Sequence, residues 1–292
     1  MLPFDLPAPE GYSIAPKWDG RNFVLGDKST PVLEYSENFV GWSDDLTALH
    51  EDTLGDGHPI DFASRKDALL QVKKNVHSDK AVIMDMGCSS GFLIQDLVKA
   101  FPEAVVIGAD VVKEPLYRLA HNFPGVPLIR FDLLRCPLPD NSVDVMVMLN
   151  VLEHIEDDQK ALQKAYNLLK PNGALVIEVP ACPGLYSAYD AELRHFRRYS
   201  AKELYRKINA AGFTVSRKSH LGFILFPAFA AVKLMDKYFS TRKNSSAVRQ
   251  QAGGTSTNPL VKWALEFETD QLSDFQLPFG IRLLAVALKQ GD

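Results

Sequence analysis

The residues with the clearest chemical capacity lie in a turn of small side chains, Asp85-Met-Gly87-Cys-Ser89-Ser-Gly91, followed by two acids that each close an apolar run, Asp110 and Asp132. A strand-to-helix turn of this composition lets a ligand approach the backbone, and the helix N-terminus beyond it favours negative charge. Three chemistries compete for it. A dinucleotide site wants Gly-x-Gly-x-x-Gly, but from Gly87 the second and third positions are Ser89 and Phe92. A serine-hydrolase elbow, Gly-x-Ser-x-Gly, is satisfied literally with Ser89 as nucleophile, yet no glycine-rich oxyanion segment precedes it. A nucleoside site fits the order of the acids. Asp110, at a strand's C-terminal end, can accept hydrogen bonds from both hydroxyls of a ribose. Asp132 can take an exocyclic amine while Leu133 packs on the base. Asn150 opens Asn150-Val-Leu-Glu153-His154-Ile over the same crevice. Each acid alone reads equally well as a helix cap or a solvated loop residue. The order of four polar strand ends is what favours a shared ligand.

Two histidines are candidate general bases, the role an acceptor hydroxyl would require. His154 follows the fourth strand; His195 lies in Glu192-Leu-Arg-His195-Phe-Arg197-Arg198-Tyr199 beyond the fifth. The ordinary reading of His154 is a packed residue opening the next helix. Arg197 and Arg198 could hold an anionic group, but structural pairing with acids is the preferred expectation.

Positioning these residues requires alternating strands and helices. Apolar runs at 81–85, 105–109, 128–131, 143–149 and 174–179 read as strands. Helical stripes fall over 92–100, 114–121 and 157–169, and Ser200-Ala-Lys-Glu203 is a capping box opening a further helix. Asp61 is the expected N-cap of a helix over 62–76. Near-continuously apolar strands separated by helices indicate a parallel sheet covered on both faces, an α/β doubly wound fold. Residues 1–60 read as an N-terminal arm with one short helix near 44–54, and residues 61–292 as the main domain, in which 219–278 form a cap or lid-like insertion before the last strand at 281–288. Phe223, Phe226, Phe229 and Met235 are candidates to roof a substrate cavity; Tyr12, Trp18 and Trp42 are candidates to close it. The tract at 240–258 reads as a mobile loop.

Composition bounds the function. The 292-residue chain carries 32 basic and 36 acidic residues, a net charge of -4, so no global positive field attracts nucleic acid or an anionic membrane. The three cysteines, Cys88, Cys136 and Cys182, are odd in number and far apart; neither a disulfide framework nor a metal-ligand cluster is expected, and a reducing cytoplasm is the default compartment. The uncharged run 221–232 contains Pro227 and is shorter than the roughly 20 residues of a spanning helix. It reads as a buried or surface-covering element, with interfacial membrane contact the weaker alternative.

In combination, these residues resemble the class I S-adenosylmethionine-dependent methyltransferases, over roughly 61–213 and a final strand. Asp85-x-Gly87-x-Ser89-x-Gly91 is similar to the family's first motif, Asp110 to its ribose-binding acid, Phe131-Asp132-Leu133 to its adenine motif, and Asn150-Val-Leu-Glu-His-Ile to its fourth. Ser89 departs from the usual middle glycine. Leu168-Leu-Lys-Pro-Asn-Gly173 is similar to the segment before the fifth strand, and His195-Phe-Arg-Arg-Tyr-Ser to one found in a subset of small-molecule enzymes. The resemblance implies a Rossmann-like sheet of seven strands, the last antiparallel. It implies S-adenosylmethionine as cofactor, held by Asp85, Gly87, Ser89, Gly91, Asp110, Asp132, Leu133 and Asn150, and methyl transfer to a small hydrophobic or amphiphilic molecule. A non-catalytic cofactor-binding protein of the same fold is the alternative from another functional class.

Overall fold

The computed structural model describes residues 2–35, 58–239 and 258–291. Trp42, the helix expected near 44–54 and the polar tract at 240–257 lie outside them.

Three short strands, β1 (Lys17–Trp18), β2 (Phe23–Leu25) and β3 (Lys28–Thr30), form an antiparallel meander. β4 (Val32–Glu34) then leaves it to pair in parallel with a strand of the main sheet. The main body alternates as its hydrophobic periodicity requires: α1 (Pro59–Asn75), β5 (Val82–Met86), α2 (Phe92–Ala100), β6 (Val105–Asp110), α3 (Glu114–Asn122), β7 (Leu128–Arg130), β8 (Val143–Leu149), α4 (Asp158–Leu168) and β9 (Leu169–Pro180). After these come α5 (Ala188–Glu192), α6 (Ala201–Ala210), β10 (Thr214–Leu221), α7 (Phe226–Phe239), α8 (Pro259–Gln271) and β11 (Arg282–Leu288).

The main sheet has eight strands in the order β10-β11-β9-β8-β5-β6-β7-β4, one more than the seven expected. The addition is β4: Val32 and Leu33 are buried beside β7, where the first 60 residues had been expected to form an extended arm. Only β11 runs against its neighbours, pairing antiparallel with β9 and β10.

Side chains alternate between two apolar layers. In β5, Val82, Met84 and Met86 face one layer, with α4 and α6, and Ile83 faces the other, with α1, α2 and α3. Each fully buried Leu, Ile or Val in these layers contributes about 1.5–3 kcal/mol, so two-sided burial is what holds the strand ends in register. Helix starts are set locally. Ser200 caps α6 by accepting from Glu203 N at 3.3 Å, one half of the capping box expected there. α1 begins earlier than expected, with His58 rather than Asp61 at its N-cap and Pro59 in its first turn; proline's fixed φ and missing N–H suit that position. Asp61 is thereby released for an ion pair described below.

The residues before β11 form a helical cap. α8 docks on α1 through Leu265, Ile60 and Ala63, and Glu268 of α8 accepts backbone N–H groups of Gly222 at 2.7 Å and Ile224 at 3.2 Å. Among the described residues no helix is long and apolar enough to cross a membrane.

Candidate functional site

A cavity of about 570 Å³ opens at the C-terminal ends of β5, β6, β7 and β8 and beneath the cap helices. This is where open parallel sheets bind ligands. Gly87, Ser89, Asp110, Asp132, Leu133 and Asn150 line one part of it, and His154 and His195 line it together with Glu153, Tyr189, Phe229 and Arg282.

The first part is shaped by backbone. Gly87 has φ +80°, and a Cβ there would stand 2.4 Å from Val151 Cγ2, so only glycine permits this approach. Ser89 also takes a left-handed φ of 45°, which turns its N–H onto Asp110 Oδ2 at 2.8 Å. Asp110 Oδ1 accepts from Val111 N at 2.7 Å and Val112 N at 3.2 Å. The acid therefore organises the turn as well as facing the cavity. Asp132 behaves similarly: its Oδ1 caps a 3₁₀ turn at Leu133–Arg135 through Leu134 N at 2.9 Å. Cap and ligand-facing roles coexist here rather than compete.

Two residues of the expected set do not line the cavity. Asp85 is buried beneath the turn, and burial, reinforced by the nearby Asp110 charge, pushes its carboxyl up to about 7. Gly91, at φ +77°, sits where a Cβ would meet Leu119 Cδ1 at 2.3 Å, so its absent side chain lets α2 pack near α3. Both support the turn from behind.

The second part is assembled across the chain. Phe196 N donates to Glu153 O at 2.8 Å, tying the segment after β9 to the segment after β8. This sets the His154 and His195 rings edge to face with centroids 4.6 Å apart. His195 Nδ1 lies 3.2 Å from Asp190 Oδ1, and Arg198 Nε donates to the same oxygen at 2.7 Å. Burial opposes charge on Asp190, but the His195 hydrogen bond and Arg198 prevail and hold its carboxyl down at about 2. Arg197 pairs with Asp158 at 2.7 Å, and Tyr199 donates to the same carboxylate at 2.8 Å. Both arginines thus pair with acids, as expected.

Glu153 is fully buried, neither of its carboxylate oxygens has a hydrogen-bond partner among the described residues, and burial pushes its pKa up to about 8. Behind it lies a network that sequence reasoning missed. Glu178, the one acid in the apolar stretch of β9, accepts from Arg282 Nη1 at 2.8 Å, Ser64 Oγ at 2.8 Å and Asn150 Nδ2 at 3.0 Å, and Arg282 also pairs with Asp61. The available signal was a lone charge in each of two apolar strands.

Of the proposed roof, Phe229 lines the cavity, whereas Phe223 and Phe226 pack at a tilt against Phe279 at 4.6 and 5.5 Å and Met235 is 62% exposed. Neither Tyr12 nor Trp18 lines it; Tyr12 is exposed and Trp18 packs on Phe23 of the meander at 4.7 Å. Ser89's hydroxyl has no histidine partner among the described residues, which leaves the elbow without a base.

Comparison with known proteins favours one of the remaining readings. A family profile described as "Methyltransferase domain" matches residues 84–177, from β5 to β9. The stretch from β5 to β9 carries a methyltransferase domain, and the chain is similar to S-adenosylmethionine-dependent methyltransferases. The "Probable S-adenosylmethionine-dependent methyltransferase" of Mycolicibacterium smegmatis is 30% identical over 138 residues, 46% of this chain and 52% of the relative, so the chain spans about half the length of the relative it matches. Two solved structures share the fold of this chain. A candidate sarcosine dimethylglycine methyltransferase from Galdieria sulphuraria has a TM-score of 0.57 at 15% identity, covering 85% of this chain and 99% of the other. An N-methyltransferase of Haemonchus contortus, solved with S-adenosylhomocysteine, has a TM-score of 0.55 at 15% identity over 84% of this chain and 57% of the other. S-adenosylmethionine is the cofactor of this family, and the cradle fits it: a Cβ at Gly87 would fill the turn, and acids stand at two consecutive strand ends.

Proposed function

We propose that this chain transfers a methyl group from S-adenosylmethionine to a small hydrophobic or amphiphilic molecule. The observation that carries the reading is the single cavity shared by Gly87, Asp110, Asp132 and Asn150 on one side and by His154 and His195 on the other. When bound, the cofactor supplies a methyl group on a positively charged sulfur, already activated for transfer.

The chain's own residues then have defined tasks. Gly87 and Ser89 would border the amino-acid end, Asp110 would accept the ribose hydroxyls, and Asp132 and Leu133 would hold the adenine. Asp85 and Gly91 would act from behind, by shaping the turn. Asn150, fixed to Glu178 through both its backbone N–H at 2.9 Å and its side chain, would border the methyl-bearing end. Alignment of donor and acceptor is the main contribution such a site makes, about 7–11 kcal/mol in favourable cases. Leu225, Phe229, Val232, Val261 and Leu265 offer the acceptor an apolar surface and would exclude water. His154 or His195 would take the proton if the acceptor is a hydroxyl.

Calorimetric titration of the full chain tests the cofactor half. Saturable binding of S-adenosylmethionine that Asp110→Ala abolishes supports it, and binding indifferent to that change counts against it. Radiolabelled methyl transfer to a panel of amphiphilic hydroxyl and amine compounds tests turnover. Tight binding with no labelled product would identify a cofactor-binding protein without transferase activity.

A further inference from the structure

Among the described residues, Glu153, His154 and His195 are the one group whose potential ligand atoms, one from each, all lie within 4.8 Å of one another. The cluster is more than a coincidence of titratable groups. Glu153 is completely buried with both oxygens unsatisfied, a condition that costs free energy unless a donor or cation meets it. His195 is held by a carboxylate on its far side: Asp190 at Nδ1 leaves Nε2 as the nitrogen able to ligate, the arrangement that orients and strengthens metal-bound imidazoles. The two arginines whose charges reach Glu153 are already neutralised, Arg198 by Asp190 and Arg282 by Glu178 and Asp61, so neither opposes a further positive charge with an unpaired one of its own.

We propose that Glu153, His154 and His195 bind a divalent transition-metal ion, with zinc the best match. Two imidazoles and one carboxylate form the donor set of catalytic zinc and related sites, in which three protein ligands leave a position for a further donor. All three residues line the cavity, so that donor can come from the molecule the cavity holds. Ligands about 2.0–2.2 Å from zinc stand roughly 3.3 Å apart in a tetrahedral site, so atoms that now lie within 4.8 Å of one another would have to draw together by up to about 1.5 Å to close on an ion. The inference rests on the reading that this part of the cavity receives the acceptor; it replaces the general-base role of the two histidines with that of ligands to a cation that positions the acceptor.

The test uses the full-length chain, stripped with a chelator and titrated with zinc against a chromophoric competitor. One equivalent should bind, and Glu153→Gln and His195→Ala should each weaken it at least tenfold, while Asp190→Asn should weaken it less. S-adenosylhomocysteine titration of every variant reports that its fold is intact. Cobalt substitution of the unmutated chain provides a readout free of mutation: visible bands without sulfur charge-transfer absorption are expected. Absent uptake, uptake unchanged in both variants, or thiolate bands marking Cys88, Cys136 or Cys182 as the ligand would overturn the site. Zinc uptake without S-adenosylhomocysteine binding would instead sink the methyltransferase reading and leave the cation site standing.

Discussion

The two parts of the cavity are built by different means. The Gly87-to-Leu133 part is made by backbone turns at consecutive strand ends, where Asp110 and Asp132 are held by N–H groups one or two residues on, with Ser89 the exception. The histidine part depends on side chains delivered from separate loops and joined by a few long-range bonds, such as Phe196 N to Glu153 O. The first is robust to sequence change outside its turns because local geometry makes it. The second depends on loops after β8 and β9 that the sheet does not itself shape, so it can vary in sequence while the sheet is kept.

The sharpest way to break the comparison is Asp110→Ala. It removes the acceptor of three backbone N–H groups along with the proposed ribose contact. S-adenosylmethionine affinity should fall at least about 100-fold, or about 2.7 kcal/mol, and the melting temperature should drop as well. Calorimetry and a thermal melt check both. An affinity loss below tenfold would mean that the acid is mainly a loop cap.

Gly87→Ala should cost about 2–4 kcal/mol of stability, through an unfavourable φ and the contact with Val151, read by urea unfolding. Adding Val151→Ala should recover part of that loss by removing the clash. If it recovers none, backbone strain rather than crowding governs the turn.

Asp85 supplies a pH signature confined to the sheet side. Its folded pKa of about 7 is raised above the ordinary carboxylate value of 3.8, so its protonated form favours the folded state. That stability is fully present below the unfolded pKa and is lost as pH rises from about 4 through 7. Between pH 5 and 7 the native chain should lose up to about 2 kcal/mol that Asp85→Asn does not lose, measured as denaturant midpoints at each pH. Parallel curves would refute the assignment.

The smallest effect belongs to the cap. Phe229→Ala should raise KM for an apolar acceptor several-fold, leave cofactor affinity unchanged and alter stability by less than about 1 kcal/mol, because this side chain faces the cavity rather than a packed layer. A matching change in cofactor affinity would show that the two parts are coupled.

How much could be read in advance follows the same division. β8 and α2 fall where periodicity places them, since a strand buried on both faces and an amphipathic stripe are written in adjacent residues. The first 60 residues were harder: β4 has only three residues, and it is a strand because β7 offers it an edge. The histidines were legible as candidates, yet their contact with a buried, unsatisfied Glu153 was not. Cysteine spacing led away from any metal cluster, because it registers only ligands that recur locally.

What the amino-acid order determined by itself is therefore the alternating α/β frame, the small-residue turn and the acids at successive strand ends, all products of interactions within a few residues. Only the tertiary structure decided which acids face the cavity, that Asp85 lies beneath the turn, and that Glu178, Arg282 and Asp61 share a network. It also decided that His195 meets Glu153 and His154. Those pairings join loops separated by whole strands, and the free energy that brings them together is supplied by burial of the sheet's two faces, not by any preference of the residues that meet.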